Sequence, residues 1–348
     1  MLKSKKMLLI CVISILLSII NIGCSEPEYQ PIIDYVSFNT VSQIIIPKEL
    51  NSPMSQNEYD KLKEYFTQRL SHLSKLFDIY YEYNGVNNLR TININAAKTA
   101  VKVDKEILDL LELSKEAFIK TDGKVNIAYG SVLSIWHNYR EEGTRVPTIK
   151  ELSEAASHTN IDNIIIDREN GTVFLKDKNM SLDVGAIAKG YAAQLIYEEL
   201  KAMGYDALVI DLGGNVKLLE GRDKNKDRIF RIGITDPNEL EKNPPDTIAQ
   251  LESGSLVSSG DYHRFYTVDN QRYHHIIDPL DNMPARYHRG VTVICDNSML
   301  ADVYSTHLFL ISLEEGRNFC LSNGIEAIWF EADGEVVFTD GFYDLLSE

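Results

Sequence analysis

A carboxylate and a hydroxyl stand four residues apart at Asp302 and Thr306, in an apolar segment predicted to be helical over residues 298–311. Residues with this spacing lie one above the other on the same helix face. Together they form an incomplete set of oxygen ligands, which suits Mg²⁺ because that ion takes its other ligands from phosphates and water. Alternatively, Asp302 only stabilises the first turn of its helix through the helix dipole. The pair by itself leaves both interpretations open.

A second chemical pattern is a lysine among small residues, at the start of a helix. Gly185 and Gly190 bracket the segment that ends in Lys189, and the apolar periodicity that follows predicts a helix ending near Met203, with Gly204 as its stop. Free backbone N–H groups and one fixed positive charge at a helix N-terminus favour an anion such as a phosphate. Ordinary helix–sheet packing is the alternative, with glycines placed where the chain turns.

Two adjacent histidines, His274 and His275, precede the turn Asp278-Pro279. Neighbouring side chains on a strand point to opposite faces, so only one of the two can face a site. A histidine has a pKa near neutrality, which suits proton transfer. The alternative is that both are sheet residues, one of them buried and hydrogen-bonded.

The elements that must position these groups alternate between helices and short strands. Helical periodicity runs from Ser55 to about Tyr83, and Asp104 begins another helix that ends at Asp122-Gly123. The remaining signals are a capping box at Thr148 and Glu151, a hairpin over 163–175, and strands over 207–212 (closed by Gly213-Gly214), 230–235 and 247–251. This order predicts an α+β fold with helices packed on mixed sheets.

Several motifs occur in a fixed order, and together they resemble the ApbE family of flavin transferases. The motifs are LDVGAIAKGYA, IDLGGN, TDGKVNIAYGSVLSIW, SGDY, HHIIDP and ADVYST. The resemblance extends from about residue 35 to residue 340. The sequence departs from the family pattern at Val125 and Asn126, and at Leu280-Asp281-Asn282, where the family has a threonine and a glycine in a turn.

The resemblance implies roles for individual residues. His275 is the expected catalytic base, and the carbonyl of Ala186 is expected to join Asp302 and Thr306 as a Mg²⁺ ligand. The expected FAD-binding residues are Asn95, Asp122, Gly123, Lys189, Gly213, Gly214, Ser259, Gly260 and Asp278. The fold implied is one ApbE-like catalytic unit, with two lobes around FAD.

The implied activity is the Mg²⁺-dependent transfer of FMN from FAD to a threonine or serine hydroxyl of a target flavoprotein, with release of AMP. Positioning and charge stabilisation do most of the work in such a transfer. One alternative is an FAD pyrophosphatase, which would use the same metal site with water as the nucleophile. The other is a non-enzymatic flavin-binding lipoprotein, against which the intact metal and base positions argue.

The N-terminal residues predict export. Lys3, Lys5 and Lys6 precede an apolar run over residues 7–20 that is short for a membrane span, and Gly23-Cys24 follows. This pattern is typical of a bacterial lipoprotein signal, although Asn21 replaces the usual aliphatic residue. The predicted organisation is a signal peptide over 1–23, a tether over 24–34 that begins at a lipidated Cys24, and the catalytic domain over 35–348. Two lipid-anchoring chains suffice for stable attachment to the outer face of the cytoplasmic membrane or on the periplasmic side; an uncleaved signal anchor is the alternative.

The net charge excludes one class of partner, and the positions of the cysteines bear on metal and disulfide sites. Loss of the three lysines would take the net charge from −16 to −19. Such an acidic surface argues against a nucleic-acid partner, which needs clustered lysines and arginines. Cys295 and Cys320 are too far apart for metal-ligand spacing and are predicted to be buried thiols, with a disulfide as the alternative in an exported protein.

Overall fold

The computed structural model describes residues 30–47, 54–220, 229–242 and 245–347. The predicted signal peptide and the predicted lipidation site Cys24 therefore lie outside the described residues. Within the described ranges, no helix combines the length and the apolar character needed to cross a membrane.

An eight-stranded sheet with the strand order β1-β2-β6-β7-β10-β15-β16-β17 forms the centre of the fold. Its strands are β1 (Ile32–Asp34), β2 (Ser42–Ile45), β6 (Leu208–Leu212), β7 (Asn215–Leu219), β10 (Gly254–Gly260), β15 (Gly290–Cys295), β16 (Glu326–Phe330) and β17 (Val336–Phe338). The smaller sheets are β3 (Val101–Lys102) with β4 (Ile164–Asp167) and β5 (Thr172–Leu175), β8 (Phe230–Ile234) with β9 (Thr247–Leu251), β11 (Phe265–Val268) with β12 (Gln271–His274), and β13 (Ile277–Asp278) with β14 (Met283–Pro284).

The central strands are apolar on both faces because both faces of the sheet are covered. In β6, Leu208, Ile210 and Leu212 belong to the main core beneath the helices, whereas Val209 belongs to a second core on the opposite face. This is the period of two that a strand imposes on its side chains. The β8–β9 hairpin contributes to the second core, and a third core surrounds Trp136, which was predicted to be a core residue.

Nine α-helices and two short 3₁₀ helices (Ser37–Asn39 and Ile161–Asn163) occur in the described part of the chain. The α-helices are α1 (Gln56–Leu76), α2 (Leu89–Ile94), α3 (Lys105–Lys120), α4 (Gly130–Glu142), α5 (Ile149–Ala156), α6 (Ala188–Met203), α7 (Ser298–Phe309), α8 (Leu313–Asn323) and α9 (Asp340–Tyr343). The predicted capping box at Thr148 and Glu151 is present, and Gly204 ends α6 in the left-handed conformation that glycine adopts without a steric penalty. Helix α6 packs on β6 and β7, and α7 packs against α6, β10 and β15.

The α+β class is confirmed, but three details of the prediction were wrong. Every pairing between the named strands is antiparallel, not mixed. The cause lies in the connections: tight turns join several neighbours, and the two helices α7 and α8 together return the chain so that β16 runs against β15, whereas a single crossover helix would make neighbours parallel.

The other two corrections concern boundaries. The predicted tether extends too far, because Ile32 is only 2% exposed and β1 already pairs with β2. Helix α1 ends at Leu76 and not near Tyr83. Its continuation is replaced by a turn in which Asp78 Oδ1 accepts hydrogen bonds from the backbone N–H groups of Tyr80 (2.6 Å) and Tyr81 (3.0 Å).

Candidate functional site

The candidate site is built where α6 and α7 meet. The backbone N–H of Gly190 donates a 2.8 Å hydrogen bond to Asp302 Oδ2. Glycine is required here for close approach, since a Cβ at position 190 would lie 2.4 Å from the carbonyl oxygen of Ser298 and 2.5 Å from Asp302 Cβ. Gly190 therefore belongs to the predicted anion site at the start of α6 (residues 185–190, the phosphate cradle). It also brings the Asp302 carboxylate of α7 against the first turn of that helix.

Lys189 lies beside the same carboxylate. Its Nζ donates a 2.9 Å hydrogen bond to Asn215 Oδ1 and lies 3.9 Å from Asp302 Oδ1. Asn215 follows the turn Gly213-Gly214, in which both glycines have positive φ, 61° and 89°. The N–H of Gly214 donates to Asp211 Oδ1 at 2.8 Å, which fixes this turn. The β6–β7 turn thus places the side-chain amide of Asn215 at the phosphate cradle.

The oxygen groups at this position fit a magnesium ion. The Asp302 residue is 4% exposed, and Thr306 follows one turn later on α7. Ser259, near the end of β10, lies with its Oγ 3.4 Å from Thr306 Oγ1 and 2.9 Å from Ser305 Oγ. Ala186 is in the turn directly before α6. A buried carboxylate and the hydroxyl groups near it supply oxygen ligands of the kind that Mg²⁺ prefers.

The two adjacent histidines have different environments. His274 is held on both sides, since its Nε2 donates to the Ala285 carbonyl at 2.8 Å and its Nδ1 accepts the Ile276 N–H at 3.2 Å. His275 follows the end of β12, and its buried Nδ1 has no hydrogen-bond partner among the described residues. Burial, with Arg264 nearby, lowers the pKa of His275 well below 6.5. A neutral imidazole with an unpaired ring nitrogen can accept a proton.

Two loops that carry predicted FAD-binding residues face each other. Asp122 and Gly123 follow α3, both with positive φ (47° and 78°), and Asp278 ends β13. In the segment that departs from the family turn, Asn282 has φ 62°, which asparagine tolerates better than most residues. The Asp281 carboxylate accepts the Met283 N–H at 2.9 Å. The substituted residues therefore still form a tight turn.

Asn95 lies apart from these contacts. It is the C-cap residue of α2, and its Nδ2 donates to the Thr91 carbonyl at 2.8 Å. The neighbouring Asn93 instead reaches the segment that leads to the cradle: its amide exchanges hydrogen bonds with the backbone of Leu182, at 3.0 and 2.7 Å. Gly260 lies at the end of β10, where a Cβ would be 2.2 Å from the ring of Tyr262.

The family model for the ApbE family matches residues 38–329, which is most of the chain. The chain belongs to the ApbE family. Among curated ApbE relatives, a protein of Treponema pallidum named FAD:protein FMN transferase is 31% identical over 272 residues, covering 74% of each chain. A protein of the same name from Klebsiella pneumoniae is 29% identical over 255 residues, covering 73% of this chain and 78% of the relative.

Solved structures agree with the family assignment. The crystal structure of an ApbE protein from Thermotoga maritima has a TM-score of 0.78 and 26% identity, covering 92% of this chain and all of the other. The flavinyl transferase ApbE of Pseudomonas stutzeri shares the fold, with a TM-score of 0.74, 23% identity, and coverage of 93% of this chain and 99% of the other. The predicted ApbE-like fold is thereby confirmed.

Three residues at the site were not predicted from the sequence. Asn215 binds Lys189, and its own Nδ2 is buried without a partner among the described residues. Lys124 pairs with Asp278, and Asn93 ties α2 to Leu182. Asn215 could have been found, because it is the last residue of the quoted IDLGGN motif. Lys124 lies in the quoted TDGKVNIAYGSVLSIW motif, although nothing in that motif indicates its pairing with Asp278. Asn93 has no signal of its own in the sequence.

Three buried or half-buried histidines in the described ranges have a pKa that burial lowers: His274, His275 and His307. Below about pH 6.5, each of these histidines binds a proton in the unfolded chain but not in the folded chain. The free energy of unfolding should therefore be highest above this pH and fall on acidification. Each histidine contributes about 1.4 kcal/mol per pH unit between its pKa in the folded chain and its pKa in the unfolded chain.

His307 provides the test of this pH dependence, because its pKa is lowered to about 4. In His307→Leu, the decrease in unfolding free energy between about pH 6.5 and 4 should be shallower by about 1.4 kcal/mol per pH unit. Urea unfolding at a series of pH values measures the slope. Leu321→Gln, which replaces an exposed side chain and changes no titratable group, is the control and should leave the slope unchanged. An unchanged slope in His307→Leu would contradict the assignment.

Proposed function

We propose that this chain is an FAD:protein FMN transferase that depends on Mg²⁺ and acts on a threonine or serine of a target flavoprotein. The observation that carries the proposal is the convergence on Asp302 of Gly190 N–H, at 2.8 Å, and Lys189 Nζ, at 3.9 Å, with Thr306 one turn away. A cation, a helix N-terminus and a buried carboxylate that would bind the metal therefore lie together, as a pyrophosphate substrate requires. Relatives in the family carry the same activity in their names.

Each part of the cradle has a task in the transfer. Asp302, Thr306 and the Ala186 carbonyl would hold Mg²⁺, which supplies charge neutralisation for the pyrophosphate when it is bound. Lys189 can turn from Asn215 towards a phosphate oxygen, and the dipole at the N-terminus of α6 favours the negative charge of the same group. Asn215 Nδ2, which has no partner among the described residues, is a further donor. Together they fix the phosphorus for attack.

The proton of the acceptor hydroxyl passes to His275. The hydroxyl oxygen forms a bond to the phosphorus on the riboflavin side of FAD, and the bond from that phosphorus to the oxygen of AMP breaks. FMN stays on the protein as a phosphoester, and AMP leaves. Nδ1 of His275 is unpaired among the described residues, and a lowered pKa keeps it free to accept a proton. His274 cannot replace it, since both of its ring nitrogens are already bound.

The function is tested with the purified chain, FAD, Mg²⁺ and a flavoprotein domain that has an acceptor threonine. Flavin fluorescence on the acceptor after denaturing electrophoresis, with one AMP released per flavin, is the expected result. The same reaction with the acceptor threonine changed to alanine is the control. Free FMN and AMP with an unlabelled acceptor would indicate an FAD pyrophosphatase, and FAD binding without any product would indicate a flavin-binding protein.

The proposed location is outside the cytoplasm, on a membrane to which lipid attached at Cys24 anchors the chain. The support is the basic head, the short apolar run and Gly23-Cys24 in the sequence. We expect Cys24→Ala to remain unprocessed or to leave the membrane fraction. Fractionation together with mass spectrometry of the N-terminal peptide measures both outcomes. Cys320→Ala, which removes a buried free thiol, is the matched control, and this variant should keep the lipid at Cys24. An unchanged mass and membrane fraction in Cys24→Ala would contradict lipidation.

A further inference from the structure

An ion pair joins the two loops that carry predicted FAD-binding residues. Lys124 Nζ, directly after Asp122 and Gly123, lies 2.9 Å from Asp278 Oδ1. The side chains are 22% and 9% exposed, so both charges are largely removed from water. A pair of this kind is weak evidence for stability, but removing one partner leaves the other charge uncompensated.

The loop after Asp278 is also held by contacts that do not involve Lys124, among them an ion pair between Asp281 and Arg286. Asp278 Oδ1 also accepts the Leu280 N–H at 3.0 Å, and the Asp278 carbonyl accepts the Asn282 N–H at 2.8 Å. Asn282 in turn accepts the Tyr129 hydroxyl at 2.5 Å through Oδ1 and the Trp136 indole N–H at 2.9 Å through its carbonyl. These bonds fix the turn without Lys124. The lysine therefore contributes mainly its charge.

The charge matters because the ligand is an anion. The chain has a net charge of −16, and FAD carries two phosphate groups, so an unpaired Asp278 carboxylate in this loop would repel the substrate. An ion-paired Asp278 exerts less of this repulsion on the phosphates of FAD than an unpaired carboxylate would. Lys124 is the cation that forms this ion pair, at 2.9 Å.

We propose that Lys124 is a positioning residue that acts through Asp278: it neutralises the carboxylate and orients it, and so permits FAD to bind between the two loops. This inference rests on the proposed function in that FAD is the ligand of the site. It assigns Lys124 no contact with FAD. The effect should therefore appear in FAD affinity and KM, with a much smaller effect on kcat.

The test compares four variants by FAD titration, followed through quenching of flavin fluorescence in Mg²⁺ buffer of fixed ionic strength. Lys124→Met should weaken FAD binding about 10- to 100-fold, and Lys124→Arg should stay within about threefold of the parent chain. The double variant Lys124→Met with Asp278→Asn should recover most of the lost affinity, because an asparagine can still accept the Leu280 N–H and carries no charge. Lys105→Met, which removes a surface ion pair with Asp109, is the control and should bind FAD normally.

Recovery in the double variant, with urea unfolding of Lys124→Met matching the parent chain, is the decisive result. A lysine that bound FAD directly would not be rescued by the second substitution, and a lysine that only held the fold would lower stability together with affinity. Failure of the double variant to recover would overturn the inference, and so would normal FAD binding by Lys124→Met. The titration needs no acceptor, so a parent chain that binds FAD and transfers nothing would refute the proposed function and leave this test intact. A parent chain that binds no FAD would overturn both.

Discussion

Replacing Asp302 with alanine or asparagine is expected to abolish FMN transfer, with a loss on the order of 10³-fold or more. A bound metal contributes several kcal/mol to the stabilisation of charge in the transition state, and each 1.4 kcal/mol corresponds to a factor of ten in rate. Asp302 is the charged member of the predicted ligand set, and it is 4% exposed. Affinity for FAD should fall much less, because Lys189 and the N-terminus of α6 remain.

Asp302→Asn and Asp302→Ala together distinguish the role of the negative charge from the structural role of the side chain. Asp302 also accepts the Gly190 N–H at 2.8 Å and so ties α7 to α6. Asparagine can still accept that bond and keeps the shape, whereas alanine leaves the N–H without its partner, which costs about 1–3 kcal/mol. Asp302→Asn should therefore unfold like the parent chain and still be inactive. Loss of activity without loss of stability identifies a role for the negative charge.

Thr306→Val is the matched comparison, since it removes a neutral ligand of the same proposed ion. It should reduce transfer less than either change at Asp302, and raised Mg²⁺ concentrations should restore part of its activity. Calorimetric titration of Mg²⁺ into each variant with FAD present measures the metal affinity independently of turnover. Full Mg²⁺-dependent activity in Asp302→Asn would show that the metal assignment is wrong.

The sequence predicted those features that depend on local spacing. The spacing of Asp302 and Thr306, the glycines that bound the start of α6 and the capping box at Thr148 are all local patterns, and they lie in the elements that the patterns indicate. The family, which was recognised from the order of several motifs, was confirmed by the match over residues 38–329. The assignments of individual site residues remain predictions.

Features that depend on contacts between distant residues could not be predicted in this way. Lys124 and Asp278 are separated by 154 residues, and Asn93 and Leu182 by 89 residues. Nothing in the residue types indicates these pairs, because a lysine in a polar loop is most often solvated. The antiparallel orientation of the strands could not be predicted either, since it depends on whether one helix or two connect β15 to β16. Local propensity gives the elements, and tertiary packing decides how they meet.

His275→Ala is expected to reduce FMN transfer by about 10²- to 10⁴-fold, the range over which a general base typically contributes. FAD affinity should change little, because the proposed phosphate contacts come from Lys189 and α6. The acidic limb of kcat/KM for the parent chain should lie below pH 6.5, since burial lowers the pKa of His275 and the neutral, proton-accepting form persists to lower pH. Single-turnover assays with prebound FAD isolate this step from binding.

His274 is the control that the chain itself supplies. It adjoins His275, but its ring is bound by the Ala285 carbonyl at 2.8 Å and by the Ile276 N–H at 3.2 Å. His274→Ala should therefore lower stability, because buried partners lose their hydrogen bonds, while the folded fraction keeps most of its transfer activity. Transfer rates corrected for the folded fraction, measured beside FAD affinity, separate the two histidines. Equal losses of corrected activity in both variants, or a loss in His275→Ala that weaker FAD binding explains fully, would exclude His275 as the base.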